Sequence, residues 1–431
     1  MKHRVLIITT VSGFLWQFEK NSVEILKKAG AEIHYASNFQ HPAYEFDPSY
    51  FEKNGIRIHH IPIEKLPWKL GRNFRALVRL AAIIRRENID TVHCHNPVGG
   101  LLGRLAARLS GRRPAVIYTA HGFHFYQGAP ARNWLLYYTA ERFLARCTDV
   151  LITINKEDEE HARRFRLKRG GNVFRIPGTG VDTRRYMPRP WLREEARRRM
   201  GVKKDEFCLL TAALLDPEKN HETVLRMLAG MKEKTEPPIR YVICGDGPHR
   251  RVLEELTRKW GLEDQVIFLG FCTDLEVLLQ GADVFLFPSL REGLGMAALE
   301  AMACGVPVVA ARNRGTVEYV RNGENGFLCE GRSPEDFRDA VLLLQSEPAL
   351  REAAARRAAG DSLAFGSGRT EKTVEQIYRM IWKEREDECE DECEGKRDHE
   401  RVQSPSFFPS GKGGGIHPGS DMEGLGAADL Q

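Results

Sequence analysis

Residues 287–317, FPSLREGLGMAALEAMACGVPVVAARNRGTV, constrain the fold more than any other stretch of the 431-residue chain. They begin at the end of an apolar run, ADVFLF at 282–287, which has the length of a strand buried on both faces. Pro288 has no backbone donor and ends that strand. A loop carrying Glu292, Gly293 and Gly295 follows, then a helix of small residues over 296–304. Gly305 and Pro307 are helix stop signals, and 306–311 reads as the next strand. A strand–loop–helix–strand unit of this kind predicts a parallel sheet, with the loop at a carboxyl edge and a helix N-terminus aimed into it. Free N–H groups and the helix dipole make such an edge attractive to anions. Glu292 and Glu300 bracket the loop, and two uses are open to them. They can pair with the helix dipole, or accept hydrogen bonds from the paired hydroxyls of a sugar.

The same grammar recurs along the chain. VLIITT (5–10), AEIHYA (31–36), IDTVHCH (89–95) and AVIYTA (115–120) read as strands separated by helical stretches, the pattern of a doubly wound sheet. The helix after the first strand is expected to run unbroken to Lys28. Gly13 stands at the carboxyl end of that first strand, where ligands approach, but its loop is not G-x-G-x-x-G, so no dinucleotide is expected. VFRIPGTGVD (173–182), rich in proline and glycine, reads as a crossing into a second domain, where FCLLTAA (207–213), RYVIC (240–244) and VIFLG (266–270) repeat the strand pattern. The length suits two domains, at 1–180 and 181–368. From 386 to 431 a charged run gives way to glycine and proline without periodicity, which predicts disorder.

Charge is informative once divided. Residues 1–180 carry 28 Lys and Arg against 15 Asp and Glu, whereas 181–385 balance at 32 each. The first domain is therefore expected to face something anionic. In the helical pattern at 68–86, Lys69, Arg72, Arg75, Arg79, Arg85 and Arg86 form a strip that suits either an ordinary surface helix or adsorption to anionic lipid. Arg104, Arg108, Arg112 and Arg113 add to it. No apolar run is long enough to span a membrane, and Arg4 is followed by only four apolar residues, too few for a signal peptide. The nine scattered cysteines suit reduced thiols. His93 and His95 share a strand face, yet no third ligand lies near them in sequence, and no D-x-D stands in a strand-end loop, so neither a metal nor any other cofactor is expected. His121 occupies a strand end suited to function, and His124 sits among aromatics as a packed residue. GDGP at 245–248 fits either a plain turn or a loop approached by a nucleotide.

Four segments, PSLREGLGMAALEAMACGVPVVA, VHCHNPVGGLLGRLAAR, VIYTAHGFHFYQGAP and RCTDVLITINKED, together resemble the retaining GT-B glycosyltransferases of family 4, in particular bacterial capsular and exopolysaccharide enzymes. The resemblance implies an α/β fold of two Rossmann-like domains facing across a cleft, with a helix at 369–385 crossing back to the first. It also implies a nucleotide-sugar donor, such as a UDP-sugar, on the second domain. The acceptor implied is a saccharide, undecaprenyl-diphosphate-linked, entering over the first domain past Gly13, in a cytoplasmic protein peripheral to the inner face of the plasma membrane. No nucleic-acid partner is expected. By the same resemblance His121 lies beside the donor sugar, Glu292 orients its hydroxyls with backbone help from Gly293, Leu294 and Gly295, and Glu300 holds the ribose. Lys219, in Lys219-Asn220-His221, meets the diphosphate. Gly245 and Gly247 form the nucleotide loop, and Phe271 and Cys272 flank the base. Relatives commonly have glycine then arginine or glutamate where this chain has Ala213 and Leu214, which leaves Lys219 and the helix N-terminus to carry the diphosphate. The implied chemistry is metal-independent front-face displacement. A nucleotide-sugar epimerase of similar fold, or a non-catalytic sugar-nucleotide-binding protein, are the alternatives.

Overall fold

The computed structural model describes residues 2–40, 47–231 and 236–402, with side chains as far as residue 386. The described residues up to Ile381 form one compact unit, which contains both sheets, and the chain from Trp382 belongs to another. The first sheet has seven strands: β1 (Arg4–Ile8), β2 (Glu32–Ser37), β3 (Arg57–His60), β4 (Thr91–His95), β5 (Ala115–Ala120), β6 (Val150–Thr153) and β7 (Asn172–Arg175), in the order β3-β2-β1-β4-β5-β6-β7. The second has six: β8 (Phe207–Ala212), β9 (Ile239–Cys244), β10 (Val266–Gly270), β11 (Val284–Phe287), β12 (Val308–Ala311) and β13 (Gly326–Cys329), ordered β10-β9-β8-β11-β12-β13. Every pairing within both sheets is parallel.

Parallel strands are covered by helices on both faces, so the central ones carry no alternation. All five residues of β4 and all six of β5 are buried, although β4 includes two histidines. The first core packs Leu6, Ile8 and Val116 against Leu80, Ile84 and Leu102; the second packs Leu209, Tyr241 and Leu286 against Val224 and Phe337. In each sheet the strand order reverses once, between β1 and β4 and between β8 and β11. Crevices open at the carboxyl ends of such switch points, and ligands bind there. Register decides what lines the first crevice. His95 pairs with Thr119, so His93, His95, Thr119 and, two residues on, His121 project from one face.

Two expectations need correction. The helix after β1 does not run unbroken to Lys28; it divides into Gly13–Phe18 and Lys20–Lys28 at Glu19, whose backbone (φ −120°, ψ 20°) is not helical. Glu19 is buried there, its Oε2 accepting from Ser22 Oγ at 2.6 Å. The tail also departs from expectation, since one helix runs Ser367–Val402, past residue 386 where disorder was expected. Glu, Lys and Arg are good helix formers, and that local preference outweighs the charge. The rest of the predicted disorder, 403–431, lies outside the described residues. Within the first unit this helix meets the earlier chain through Thr370 Oγ1, which donates to Gly178 O (3.1 Å), and Tyr378, whose hydroxyl bonds His93 Nδ1 (2.7 Å). Among the described residues no helix is long and apolar enough to cross a membrane.

Candidate functional site

The β8–β11 crevice is built by two loops stapled together. After β8, Asp216 accepts from the amides of Glu218 and Lys219, and Asn220 takes a left-handed turn (φ 57°). The Asn220 amide then donates to Pro288 O (3.0 Å) and Gly331 O (2.7 Å), fixing this loop to the one that follows β11. Lys219 Nζ thereby reaches Glu292 Oε1 at 2.5 Å, both side chains mostly shielded from water. The cation expected at a diphosphate and the carboxylate expected at a sugar are thus one ion pair in the ligand-free protein.

Gly295 caps the Met296–Ala303 helix at φ +91°. A Cβ there would stand 2.7 Å from the Phe287 ring and 2.8 Å from the Tyr319 hydroxyl, so glycine is required by both conformation and space. Leu294 is buried beside it. Glu300, one turn inside the helix, has its carboxyl pushed up to about 7 by burial, with Arg185 and Tyr186 acting in the opposite sense. The GDGP glycines have a packing role. Added Cβ atoms would lie 1.9 Å from Ala213 O at Gly245 and 2.4 Å from Leu215 O at Gly247, because this loop lies directly on the one that follows β8. Phe271 is three-quarters exposed, the half-buried Cys272 bonds Gly270 O (3.4 Å), and Leu214 is exposed at the end of β8.

The β1–β4 crevice holds a second cluster. His95 Nδ1 and His121 Nε2 share a hydrogen bond of 3.1 Å, and Glu19 Oε1 lies 3.4 Å from the first and 3.9 Å from the second. Burial pushes Glu19 up to about 7, lowers His121 to about 4 and holds His95 well below its usual range, so both rings are neutral at pH 7. Phe14, which follows the buried Gly13, sets its ring edge-on to His121 at 5.0 Å. Glu19, His95 and His121 form a donor set that a divalent cation could use. The sequence paired His93 with His95 and found no third ligand. In the fold His93 instead bonds Tyr378 and Thr119, while His95 gains both a carboxylate and a second imidazole from elsewhere in the chain. His124 packs on Tyr137, with ring centroids 4.7 Å apart.

The two crevices meet through the glycine loop itself. A Cβ on Gly293 would fall 2.4 Å from His121 O, so the two backbones are in contact. Asn155 Nδ2 donates to Gly293 O (2.9 Å). Arg314 donates from Nε to Glu292 O (3.2 Å) and from Nη1 to Asp158 Oδ1 (2.8 Å), a pair buried on both sides. His121, Glu292, Gly293 and Lys219 are therefore brought together. Gly245 and Gly247 sit with the β8 loop, and Phe271 lies on an exposed surface. Sequence reasoning missed Glu19, Asn155, Asp158, Arg185 and Arg314. Only Asn155 carried a signal, as an N-cap residue whose side chain accepts from Asp158 N at 2.8 Å.

With this geometry in view, comparison with known proteins is decisive. Residues 3–178 match the family Glycosyl transferase 4-like domain, and 193–361 match Glycosyl transferases group 1. EpsD of Bacillus subtilis (strain 168), which bears a glycosyltransferase name, is 37% identical over 380 residues, spanning 88% of this chain and 97% of that protein. The chain is a GT-B glycosyltransferase. The Escherichia coli UDP-Gal:alpha-D-GlcNAc-diphosphoundecaprenol alpha-1,3-galactosyltransferase is 29% identical to it, over 69% of this chain and 77% of that one. HepE from Anabaena, solved with UDP and glucose, shares the fold at a TM-score of 0.70 and 19% identity, covering 89% of this chain and 100% of that one. The sucrose-phosphate synthase of Thermosynechococcus elongatus does so at 0.72 and 20%, covering 88% and 99%. The group 1 match contains the Lys219, Glu292 and Glu300 half of this glycosyltransferase, and the 4-like match contains the Glu19, His95 and His121 half.

Proposed function

We propose that this glycosyltransferase moves a hexose from a UDP-sugar to a saccharide hydroxyl on a diphosphate-linked lipid, with retention at the anomeric carbon, in polysaccharide synthesis at the inner membrane face. The observation that carries this reading is the Lys219–Glu292 pair at 2.5 Å, set in the loop whose Gly293 lies on the carbonyl of His121. A donor diphosphate entering here takes over the charge of Lys219 and the N–H groups opening the Met296–Ala303 helix. That frees Glu292 to accept from sugar hydroxyls, while Glu300 accepts from the ribose.

The acceptor oxygen attacks the anomeric carbon on the face that the diphosphate leaves. The carbon–phosphate-oxygen bond breaks, and the hydroxyl proton passes to the departing phosphate. His121, neutral at pH 7, donates or accepts a hydrogen bond beside the sugar and carries no charge into the step. Support for the donor comes from the UDP held by HepE and the UDP-Gal named for the E. coli relative. Support for the acceptor comes from the diphosphoundecaprenol in that relative's name and from the basic first domain.

The test is incubation of purified protein with a panel of UDP-, GDP- and ADP-sugars and an undecaprenyl-diphosphate N-acetylhexosamine, with the anomeric configuration of the product read by NMR. An α-linked product from an α-configured UDP-sugar is expected. An inverted product overturns the displacement, and epimerised donor without transfer favours the epimerase. Absence of both transfer and donor hydrolysis across the panel leaves a sugar-nucleotide-binding role.

A further inference from the structure

A second concave site lies at the opposite end of the first sheet, where its strands begin. A cavity of about 420 Å³ opens there among Arg104, Arg108, Arg113, Arg146 and Lys168, over an apolar floor that includes Pro114 and Val116. Four segments supply the cations. Arg104 and Arg108 stand one turn apart on the Pro97–Leu109 helix, Arg113 enters β5, Arg146 lies in the turn Ala145–Cys147 ahead of β6, and Lys168 precedes β7.

Negative charge is sparse in the sequence around them. Residues 101–150 contain seven arginines and only two acidic residues, Glu141 and Asp149. Both acids are already engaged. Glu141 pairs with Arg104 at 2.8 Å, and Asp149 Oδ2 accepts from Lys168 Nζ and Val116 N, each at 2.7 Å. Arg104 is 1% exposed; its Nε donates to Gly100 O at 2.8 Å, its plane lies 4.1 Å above the Tyr118 ring, and its Nη2 is buried without an acceptor. A buried guanidinium N–H left unmade is costly, and like charges gathered around one cavity repel. One ligand chemistry relieves both: a tetrahedral anion whose oxygens match the arginine fork.

We infer that this cavity is a second binding site, distinct from the donor and acceptor crevices, that takes a phosphate group. The phosphate is borne either by a soluble phosphoester or by the headgroup of an anionic lipid. Exposed Phe143 sets its ring 5.8 Å from the guanidinium of Arg146, a lining residue, and exposed Leu109 follows Arg108 in the chain. These apolar residues suit the lipid source, and the concave volume suits the soluble one.

The experiment compares wild type with the double variant Arg108→Ala/Arg146→Ala, two exposed residues whose removal leaves the Arg104–Glu141 pair intact. Inorganic phosphate and glycerol 1-phosphate are titrated at fixed ionic strength against chloride, with the melting temperature and calorimetric heat as readouts. Vesicles of phosphatidylglycerol in phosphatidylcholine are co-sedimented in parallel. Affinity for the true source should fall by about tenfold per arginine removed. Loss confined to the soluble ions identifies a phosphoester site, and loss confined to vesicles identifies a headgroup site. The inference is overturned if neither form binds wild type beyond chloride, or if both bind the double variant as tightly as wild type. Arg104→Met, read for the same binding, adds the buried contact wherever it folds.

Discussion

Proton release on donor binding follows from the position of Glu300. In the ligand-free protein burial raises its carboxyl from an ordinary 4.5 to about 7. On the proposed function two ribose hydroxyls donate to the ionised carboxylate and replace the lost hydration, so the bound state should return toward the ordinary value. A difference of about 2.5 pH units corresponds to about 3 kcal/mol of coupling between the donor and one proton. The sign follows from the proposed contact, because Glu300 holds its proton below about pH 7 and hydroxyl donors favour its ionised form. Donor affinity is therefore lost as pH falls, by about 30-fold between pH 8 and pH 5.5, with about half a proton released per donor at pH 7. Folding stability of the ligand-free protein moves the other way. The raised pKa gives a contribution present below 4.5 that declines as pH climbs through 7. Calorimetry of a UDP-sugar, whose diphosphate stays ionised throughout, measures both affinity and proton count in buffers of different ionisation heat. Glu19 is raised to about the same value, so Glu300→Gln is the necessary control: it should bind weakly and lose the slope. A wild-type affinity flat across this range, or an equal slope in the variant, refutes the reasoning.

Other expectations are shorter. Lys219→Ala removes the positive group beside Glu292 and should lower kcat by about 10²–10³-fold, more than it changes donor KM, in steady-state assays. Asp158→Ala leaves Arg314 buried and unpaired and should cost about 3–5 kcal/mol, seen as a lowered thermal midpoint, whereas Arg314→Met with Asp158→Leu should recover part of it. Gly293→Ala places a methyl group 2.4 Å from the His121 carbonyl. It should reduce transfer by about tenfold or more while circular dichroism stays unchanged.

Much of this fold is legible because buried parallel strands announce themselves as short apolar runs, as β1, β5, β8 and β11 do. β3 was not legible, since Arg57–His60 is a mostly exposed edge strand whose one apolar residue, Ile58, faces solvent. β6 (Val150–Thr153) is as short and as buried as β11 and nearly as apolar, and was equally open to reading, but was not singled out as a strand. Glu292 and Lys219 could be named from motif, but their mutual contact could not, because it depends on Asn220 stapling two loops. Glu19 falls inside a stretch that reads as one helix, and only tertiary packing turns it inward toward His95. The Arg314–Asp158 pair spans 156 positions and leaves no local trace. The GDGP motif leaves a plain turn and a nucleotide loop open, and only the fold shows that Cβ atoms at Gly245 and Gly247 would meet backbone oxygens of the loop after β8.

The loop proposed to face the donor sugar also helps to join the two sheets, through Gly293 against His121, Asn155 to Gly293, and Arg314 to both Glu292 and Asp158. On the proposed function, choice of sugar and the fit between the two halves therefore depend on the same few residues. A lineage that altered this loop to accept a different hexose would at the same time reset how readily the halves part to release product. Donor preference in such a protein should drift along paths that keep 291–295 fixed and vary the residues behind it. An engineer seeking a new sugar would do better to reshape the walls than the floor.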